Sequence, residues 1–349
     1  MGASGMVMNS KDKDRTVQIL AGLAIIMLIF ISIINPQDHS ILYNFFTWLT
    51  WPTIFFIAGY YTNINLKIGQ SIVLAIKRYL IPYLVVGLLM IVINKVVQLL
   101  QLNTWINAPF PAMRTGLKAL LYGNGTPVTT IFGFFDTGIG LLWLLMALFV
   151  GTILTVLIAK VKKVPLAILI VILLAGVGFY LATFIQIPWS LEPAFIALPF
   201  MLFGLYYHRL VNWSAGTATI LAALLVNLTM SASTGLTMEV AYTPFWILGT
   251  LTALISLAGL VVVANKLVNS TLLSKLANLF INIGSYFSLS LAVFIFIKTM
   301  IPMNNYIGGI LPAGMISFII IWLLMLIVSF VIKLGIVKTV NAVRGQKGD

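Results

Sequence analysis

The sequence predicts an all-α integral membrane protein with about ten transmembrane helices and both termini in the cytoplasm. Of its 349 residues, 61% are hydrophobic and only 8% are charged. A soluble domain carries roughly 25% charged residues, whereas a charge at the centre of a bilayer is costly, so this composition is typical of a protein in lipid. No long polar block interrupts the pattern, which predicts a single polytopic membrane domain over residues 1–349.

Ten apolar runs are long enough to cross a bilayer, which takes about 20 residues. They lie near residues 17–35, 42–62, 79–100, 138–159, 164–184, 189–207, 211–231, 244–265, 278–300 and 311–336. The first run has a basic flank like that of a signal peptide, but its apolar stretch is longer and no small-residue cleavage site follows it. We therefore expect an uncleaved first helix.

The distribution of Lys and Arg predicts the orientation of the chain. If the N-terminus is cytoplasmic, sixteen of the twenty basic residues fall on the cytoplasmic side. These are Lys11, Lys13, Arg15, Lys67, Lys77, Arg78, Lys160, Lys162, Lys163, Arg209, Lys266, Lys275, Lys333, Lys338, Arg344 and Lys347. Residues 1–16 then form a short cytoplasmic segment and residues 337–349 a cytoplasmic tail, with Lys333 counted among the basic residues of this end. The net charge of +13 is thus a topology signal, and no nucleic-acid partner is expected.

The longest loop, near residues 101–137, is expected on the outside. Within it, Pro111 predicts the first turn of a short helix that ends before Gly123. Arg114 and Lys118 are four residues apart and share one face of this helix. The helix either lies on the membrane surface or forms a lid over an outward-facing site, where the two cations would bind anionic or sugar substrates.

Ionisable groups near apolar runs are the default functional candidates in a membrane protein. Glu192 opens the sixth run, between two prolines, and Asp136 directly precedes the fourth. Asp38 and His39 are adjacent in the first outer loop, and such a pair suggests general-base chemistry, although neighbouring loop residues usually point apart. Each of these groups is equally compatible with a structural role in the headgroup region.

Several classes of chemistry have no support in the sequence. The chain contains no cysteine, which excludes disulfides, thiolate nucleophiles and cysteine metal sites. No zinc-ligand spacing, phosphate-binding loop or Ser-His-Asp constellation is present, so no metal is expected.

Five stretches together carry a resemblance to a known family. They are Trp51–Tyr61, the basic segment Lys77–Tyr83, Leu142–Leu145, the proline-rich segment Ile187–Gly204, and Ile283–Ser288. In order and spacing they resemble the acyltransferase 3 family, ten-span membrane proteins that generally transfer acyl groups, often acetyl, to extracytoplasmic sugars. The resemblance implies acetyl-CoA or another acyl-CoA as donor, a cell-envelope glycan as acceptor, and the plasma membrane as location.

The chain departs from this family in its first span. The family has an Arg and a His there, the His being thought to serve in acyl transfer, and the corresponding residues here are Ala21 and Ser32. Gln18 stands at the position of a family Asp, and Phe294 near that of a later His. Acyl transfer needs a general base and stabilisation of an oxyanion, so the resemblance implies the fold more strongly than the chemistry.

Three functions remain open. The first is acylation of a cell-envelope polysaccharide or lipid-linked sugar, the second is non-catalytic binding or movement of a lipid-linked glycan, and the third is secondary transport of a solute through inverted repeats. For the first, the candidate catalytic residues are Glu192, His39 and Asp38. The candidate substrate-binding residues are Arg78, Asp136, Arg114 and Lys118.

Overall fold

The computed structural model describes residues 10–34, 40–207, 216–241, 246–302 and 315–345, and most of them are helical. The helices are α1 (Ser10–Ile33), α2 (Ser40–Tyr60), α3 (Ile68–Ala75), α4 (Ile81–Leu99), α5 (Met113–Tyr122), α6 (Trp143–Ala159), α7 (Val164–Ala182), α8 (Leu191–Tyr206), α9 (Thr217–Ser231), α10 (Trp246–Val268), α11 (Ser274–Gly284), α12 (Phe287–Met300) and α13 (Met315–Gly345). Helices predominate because a backbone in lipid must satisfy its hydrogen bonds internally.

Short elements connect some of these helices. A π-helical turn, Ile76–Leu80, joins α3 to α4, and 3-10 turns occur at Gly140–Leu142, Pro188–Ser190 and Met238–Val240. Between α5 and α6, β1 (Val128–Thr129) and β2 (Phe135–Asp136) pair antiparallel, with Val128 opposite Asp136.

Eight helical segments in the described ranges are long and apolar enough to cross a membrane. They are Asp14–Ile33, Ser40–Tyr60, Ile68–Leu99, Gly140–Ala159, Val164–Ala182, Pro188–Tyr206, Trp246–Val268 and Ile319–Thr339. The pair α11 and α12, bent by 72°, makes a ninth if it crosses as one unit, and α9 is a shorter apolar helix. The chain is therefore an α-helical membrane protein, whereas ten crossings and their orientation remain predictions.

One end of the helix bundle, here called the cap end, is covered by residues 100–142 together with the connections 183–190 and 232–241. Hydrogen bonds at Asn94 and Asn107 fasten this cover. Asn94 of α4 is fully buried, and its amide donates to the carbonyl of Phe110 and accepts from the Phe110 N–H, both at 2.9 Å. Asn107 donates its N–H to the carbonyl of Met300 at 2.8 Å. The cover is thus bound to α4 and α12.

The opposite end, here called the basic end, carries the connections 61–67 and 160–163. The Lys160 amine joins them by donating to the carbonyls of Ile64 at 2.6 Å and Leu66 at 3.2 Å. Lys162 and Lys163 follow in the same connection. This clustering agrees with the positive charge predicted for the cytoplasmic side, and the cap end is the predicted outer side.

Glycines bring α2 and α8 into backbone contact. A Cβ atom on Gly204 would lie 2.0 Å from the carbonyl oxygen of Phe56, and one on Gly59 would lie 1.9 Å from that of Met201. Small residues allow this approach in membrane helix packing. The contact holds α8 along α2 and fixes the first turn of α8 at the cap end.

Helices α1 and α11 cross in the same manner. A Cβ atom on Gly284 would lie 2.4 Å from the carbonyl oxygen of Gln18 and 2.8 Å from the Cβ of Ala21. Ala21 is 1% exposed, so its position has no room for the long side chain of the family Arg. Ser32, at the position of the family His, donates its hydroxyl to the Ile29 carbonyl of its own helix at 2.8 Å.

Lys333, which the topology prediction counts with the cytoplasmic tail, is buried in α13. Lys333 lies within the apolar segment Ile319–Thr339 of α13 and is 2% exposed. The helix continues to Gly345. Residues 337–345 of the predicted tail therefore belong to the same helix as the last apolar run. A lysine near the end of an apolar run has the same sequence pattern whether it flanks the helix or is buried in it.

Candidate functional site

The candidate site lies at the cap end, where residues 186–190 run against the end of α5. The Ser190 hydroxyl donates to the carbonyl of Gly123 at 2.6 Å, and the Tyr122 hydroxyl donates to that of Gln186 at 2.6 Å. The Trp189 indole donates to the carbonyl of Leu121 at 3.1 Å. We call residues 186–190 the strap, since these three bonds fix it across the bundle end.

The strap has a strained backbone. Trp189 and Ser190 are consecutive non-glycine residues with positive φ, 66° and 50°. This region is costly for residues with a Cβ, and such strain clusters at functional sites. It turns the chain sharply into α8, so that Glu192 lies in the first turn of that helix.

Glu192 is held beneath the strap. Its side chain is 2% exposed, and one carboxylate oxygen accepts the backbone N–H of Ile187. The N-terminal end of a helix stabilises a negative charge, and α8 presents this end to Glu192. The residue is therefore inside the protein rather than in lipid, as a cavity-facing role requires.

A second carboxylate, that of Glu239, lines the same cavity from the α9–α10 connection. The cavity measures about 210 Å³ when the solvent space at its mouth is included, and it is lined by Asn124, Ala182, Gln186, Ser190, Glu192, Pro193, Glu239, Val240 and Ala241. The connection is anchored on α2, because Leu236 donates its N–H to the Thr47 hydroxyl at 3.1 Å. Burial raises the pKa of Glu239 above its ordinary value.

The cavity wall is rich in hydrogen-bond acceptors. Asn124 is 4% exposed, and its Oδ1 has no hydrogen-bond partner among the described residues. Its Nδ2 donates to Oε1 of Gln186 at 3.4 Å. Buried polar atoms without partners are uncommon and call for an explanation. Together with the two carboxylates, this amide oxygen suits a ligand that presents O–H or N–H groups.

Asp136 lies near this site but does not line the cavity. It is 1% exposed, its Oδ1 accepts the N–H of Gly138 at 3.3 Å, and its Oδ2 has no partner in the described ranges. Burial raises the pKa of Asp136 above its ordinary value. The adjacent segment 124–126 contacts residues 138–140, where Ile139 donates to the carbonyl of Asn124 at 2.8 Å. Asp136 therefore supports the wall that carries Asn124.

Arg78 is at the basic end, on the other side of the bundle from Glu192. Its guanidinium donates to the carbonyl of Tyr61 at 3.0 Å and lies 5.5 Å from the centre of the Tyr61 ring. It lines a second cavity of about 300 Å³, together with Thr62, Asn63, Ser71 and Thr152 among others. The π-helical turn that contains Arg78 is a feature frequent at functional sites.

Arg114 and Lys118 do not line the Glu192 cavity. Helix α5 ends before Gly123 as predicted but begins at Met113, so that Pro111 precedes it. Arg114 is exposed, and the Lys118 amine lies 4.9 Å from the centre of the Phe134 ring. Asp38 and His39 lie outside the described residues.

Sequence reasoning missed Glu239. The chain contains only two glutamates, and both line this cavity. The scarcity of glutamate was the one signal that could have indicated Glu239. Its position between two apolar runs is also common for residues without a functional role.

Comparisons with known proteins add no relative: no protein-family model, curated protein or solved structure matches the chain. The resemblance to the acyltransferase 3 family therefore rests on the sequence stretches alone.

Proposed function

We propose that this chain is an acyltransferase-like protein of the cytoplasmic membrane whose cap-end cavity binds a saccharide acceptor. The acceptor would be a cell-envelope polysaccharide or a lipid-linked sugar. The observation that carries the proposal is the buried Glu192 carboxylate in a cavity that is also lined by Glu239 and Asn124. Carboxylates and amides are acceptors for sugar hydroxyls.

Glu192 is the proposed general base. A base must reach the proton that it removes, and Glu192 lines the cavity in which the acceptor hydroxyl would lie. As that hydroxyl oxygen bonds to the acyl carbon, Glu192 would take the hydroxyl proton. The C–S bond of the thioester would then break, CoA would leave as a thiolate, and the proton would return to that sulfur through Glu192 or solvent. Glu239 and Asn124 would orient the sugar by accepting its other hydroxyls.

Arg78 is the proposed contact for the phosphates of the donor. Because Arg78 lies at the other end of the bundle from Glu192, the acyl group would have to pass through the bundle to reach the acceptor. An acyl-CoA supplies an acyl group activated as a thioester and carries phosphates. The cavity at Arg78 offers one guanidinium beside neutral polar groups, which fits a single phosphate. Among the described residues, no cation lines the Glu192 cavity, so stabilisation of the oxyanion would be weak and transfer slow.

Transport is the second candidate, supported by the break between α11 and α12. Broken helices in transporters present freed carbonyls and helix ends to ions, and the 72° bend produces such an end at Gly284. A protein that binds a lipid-linked glycan at the cap end without transferring an acyl group would fit this candidate.

Both candidates are tested with purified protein in lipid nanodiscs. Radiolabelled acetyl-CoA and envelope extract are supplied together, and label in saccharide is measured beside saccharide binding. We expect binding and slow transfer. Binding without transfer would favour the glycan-binding or transport function, and loss of both would contradict the assignment of the site.

A further inference from the structure

The amine of Lys333 occupies a cradle of three oxygens at the break between α11 and α12. It donates to the carbonyls of Asn282 at 2.7 Å and Ile283 at 3.0 Å, and to the hydroxyl of Ser285 at 3.1 Å. A lysine amine has three N–H donors, so this geometry uses all of them.

In the described part of the chain, the two carbonyl oxygens have no backbone partner, because α11 stops there. Each also accepts a side-chain hydroxyl, Asn282 from Ser285 at 2.7 Å and Ile283 from Ser290 at 3.5 Å. Ser285 is extended, with φ −60° and ψ 142°, and Tyr286 has a positive φ of 54°. The last carbonyls of a helix have no partner within that helix, and the helix end carries partial negative charge. The end of α11 therefore attracts a cation by its backbone alone.

No acid group takes part in this contact. The hydrogen-bond partners of the Lys333 amine in the described ranges are two carbonyls and one hydroxyl, and the Phe330 ring centre lies 5.2 Å away. An ammonium group held by neutral oxygens is equivalent to a bound ion with a tether, and transporters offer similar oxygens to dissolved cations.

We propose that the break between α11 and α12 is a binding site for a monovalent cation of ammonium or potassium size, which the Lys333 amine occupies in this chain. The Lys333 amine then stabilises the bend between α11 and α12, and no dissolved ion is needed. If the amine is removed, the oxygens remain and a dissolved cation takes its place. This inference does not depend on the proposed acyltransferase function.

Replacement of the amine provides the test. Lys333→Ala and wild-type protein in nanodiscs are heated in ammonium chloride, potassium chloride or N-methylglucamine chloride at equal ionic strength, and unfolding is followed by tryptophan fluorescence. In N-methylglucamine we expect the variant to melt on the order of 5 °C below wild type, because the carbonyls of Asn282 and Ile283 lose their charged donor and keep only a hydroxyl each. Ammonium or potassium should restore at least half of that loss. Wild type and the control Lys338→Ala, exposed on the same helix, should respond equally little to the choice of salt.

Two further variants keep the test decisive. Lys333→Met retains most of the side chain without charge, and it replaces Lys333→Ala if the latter fails to accumulate. Addition of Ser285→Ala to either should weaken the response, because one of the three oxygens is lost. The proposal is overturned if the neutral variants melt at the same temperature in all three salts. If neither neutral variant accumulates, growth in medium rich in potassium or ammonium should restore them, and failure to do so also overturns it.

Discussion

The carboxylate of Glu239 lies directly against the backbone of Gly125. A Cβ atom on Gly125 would be 2.5 Å from Oε1 of Glu239 and 2.5 Å from Cδ1 of Trp143. This contact joins the α9–α10 connection to the loop after α5, and both contribute to the cavity around Glu192. A side chain at residue 125 would therefore move the second carboxylate.

Gly125→Ala should weaken saccharide binding. The added methyl group displaces Glu239, and we expect about a tenfold loss of affinity, or about 1.4 kcal/mol. Binding of envelope saccharide to protein in nanodiscs measures the change, and a melting curve verifies the fold. Glu239→Gln should give a loss in the same direction. Unchanged affinity in a folded Gly125→Ala protein would show that Glu239 does not contact the ligand.

Gly284→Ala should destabilise the bundle. Its new methyl group would meet the backbone of α1, which cannot shift as a side chain can, and overpacking of this kind typically costs about 1–3 kcal/mol. Gly69 provides a matched control, because a Cβ there meets nothing within 4 Å. In nanodiscs, the melting temperature of Gly284→Ala should lie well below that of wild type. The melting temperature of Gly69→Ala should equal that of wild type or exceed it. Equal melting of the two variants would contradict the close crossing of α1 and α11.

Asp136→Asn should reduce the dependence of stability on pH. The pKa of Asp136 is raised by burial, so just above the ordinary value of about 4 the folded chain keeps a proton that the unfolded chain has lost. The contribution of Asp136 to the free energy of unfolding is thus fully present below that value and decreases as pH rises through the raised pKa. The variant should melt higher than wild type at neutral pH and change less between acid and neutral pH. Parallel melting curves for both proteins would exclude an unfavourable buried charge.

The topology can be tested with reporter fusions. A reporter after Gly123 lies at the cap end, and one after Lys163 lies at the basic end. We expect the first outside and the second in the cytoplasm, because the basic residues are concentrated near the second. Reports from the same side would overturn the predicted orientation.

Local features of the fold were predictable from the sequence. Gly123 ends α5 as expected, because it acts through its own backbone conformation, with a φ of 79°. The helix begins at Met113 rather than with Pro111 in its first turn. Apolar runs predicted helices because the bilayer imposes their length. The 72° break after Gly284 was not predicted, because the run is apolar on both sides of it. Hydropathy carries no information on the direction of the helix axis.

The candidate site was predictable only in part. Glu192 was identified because a carboxylate among prolines opens an apolar run. Glu239 reaches the same cavity through the packing of α9 and α10, and Lys333 reaches the end of α11 from a distant helix. Contacts between residues so far apart in sequence depend on helix packing, which a single sequence does not specify. Arg114 and Lys118 were expected either on a helix at the membrane surface or on a lid, and α5 packs with Gly116 and Ala119 inward while Arg114 is exposed.

The central claim is that Glu192 acts on a saccharide hydroxyl in the cap-end cavity, and the rate of label transfer in Glu192→Gln measures it most directly. General-base assistance is typically worth about 10²–10⁴-fold, so the variant should lose at least about 100-fold in rate while its accumulation and saccharide binding change little. Asp14→Asn is the matched control, because it makes the same carboxylate-to-amide change at an exposed position of α1, and it should transfer at the wild-type rate. If Glu192→Gln transfers label as fast as wild type, Glu192 is not the base and the account of this site is wrong.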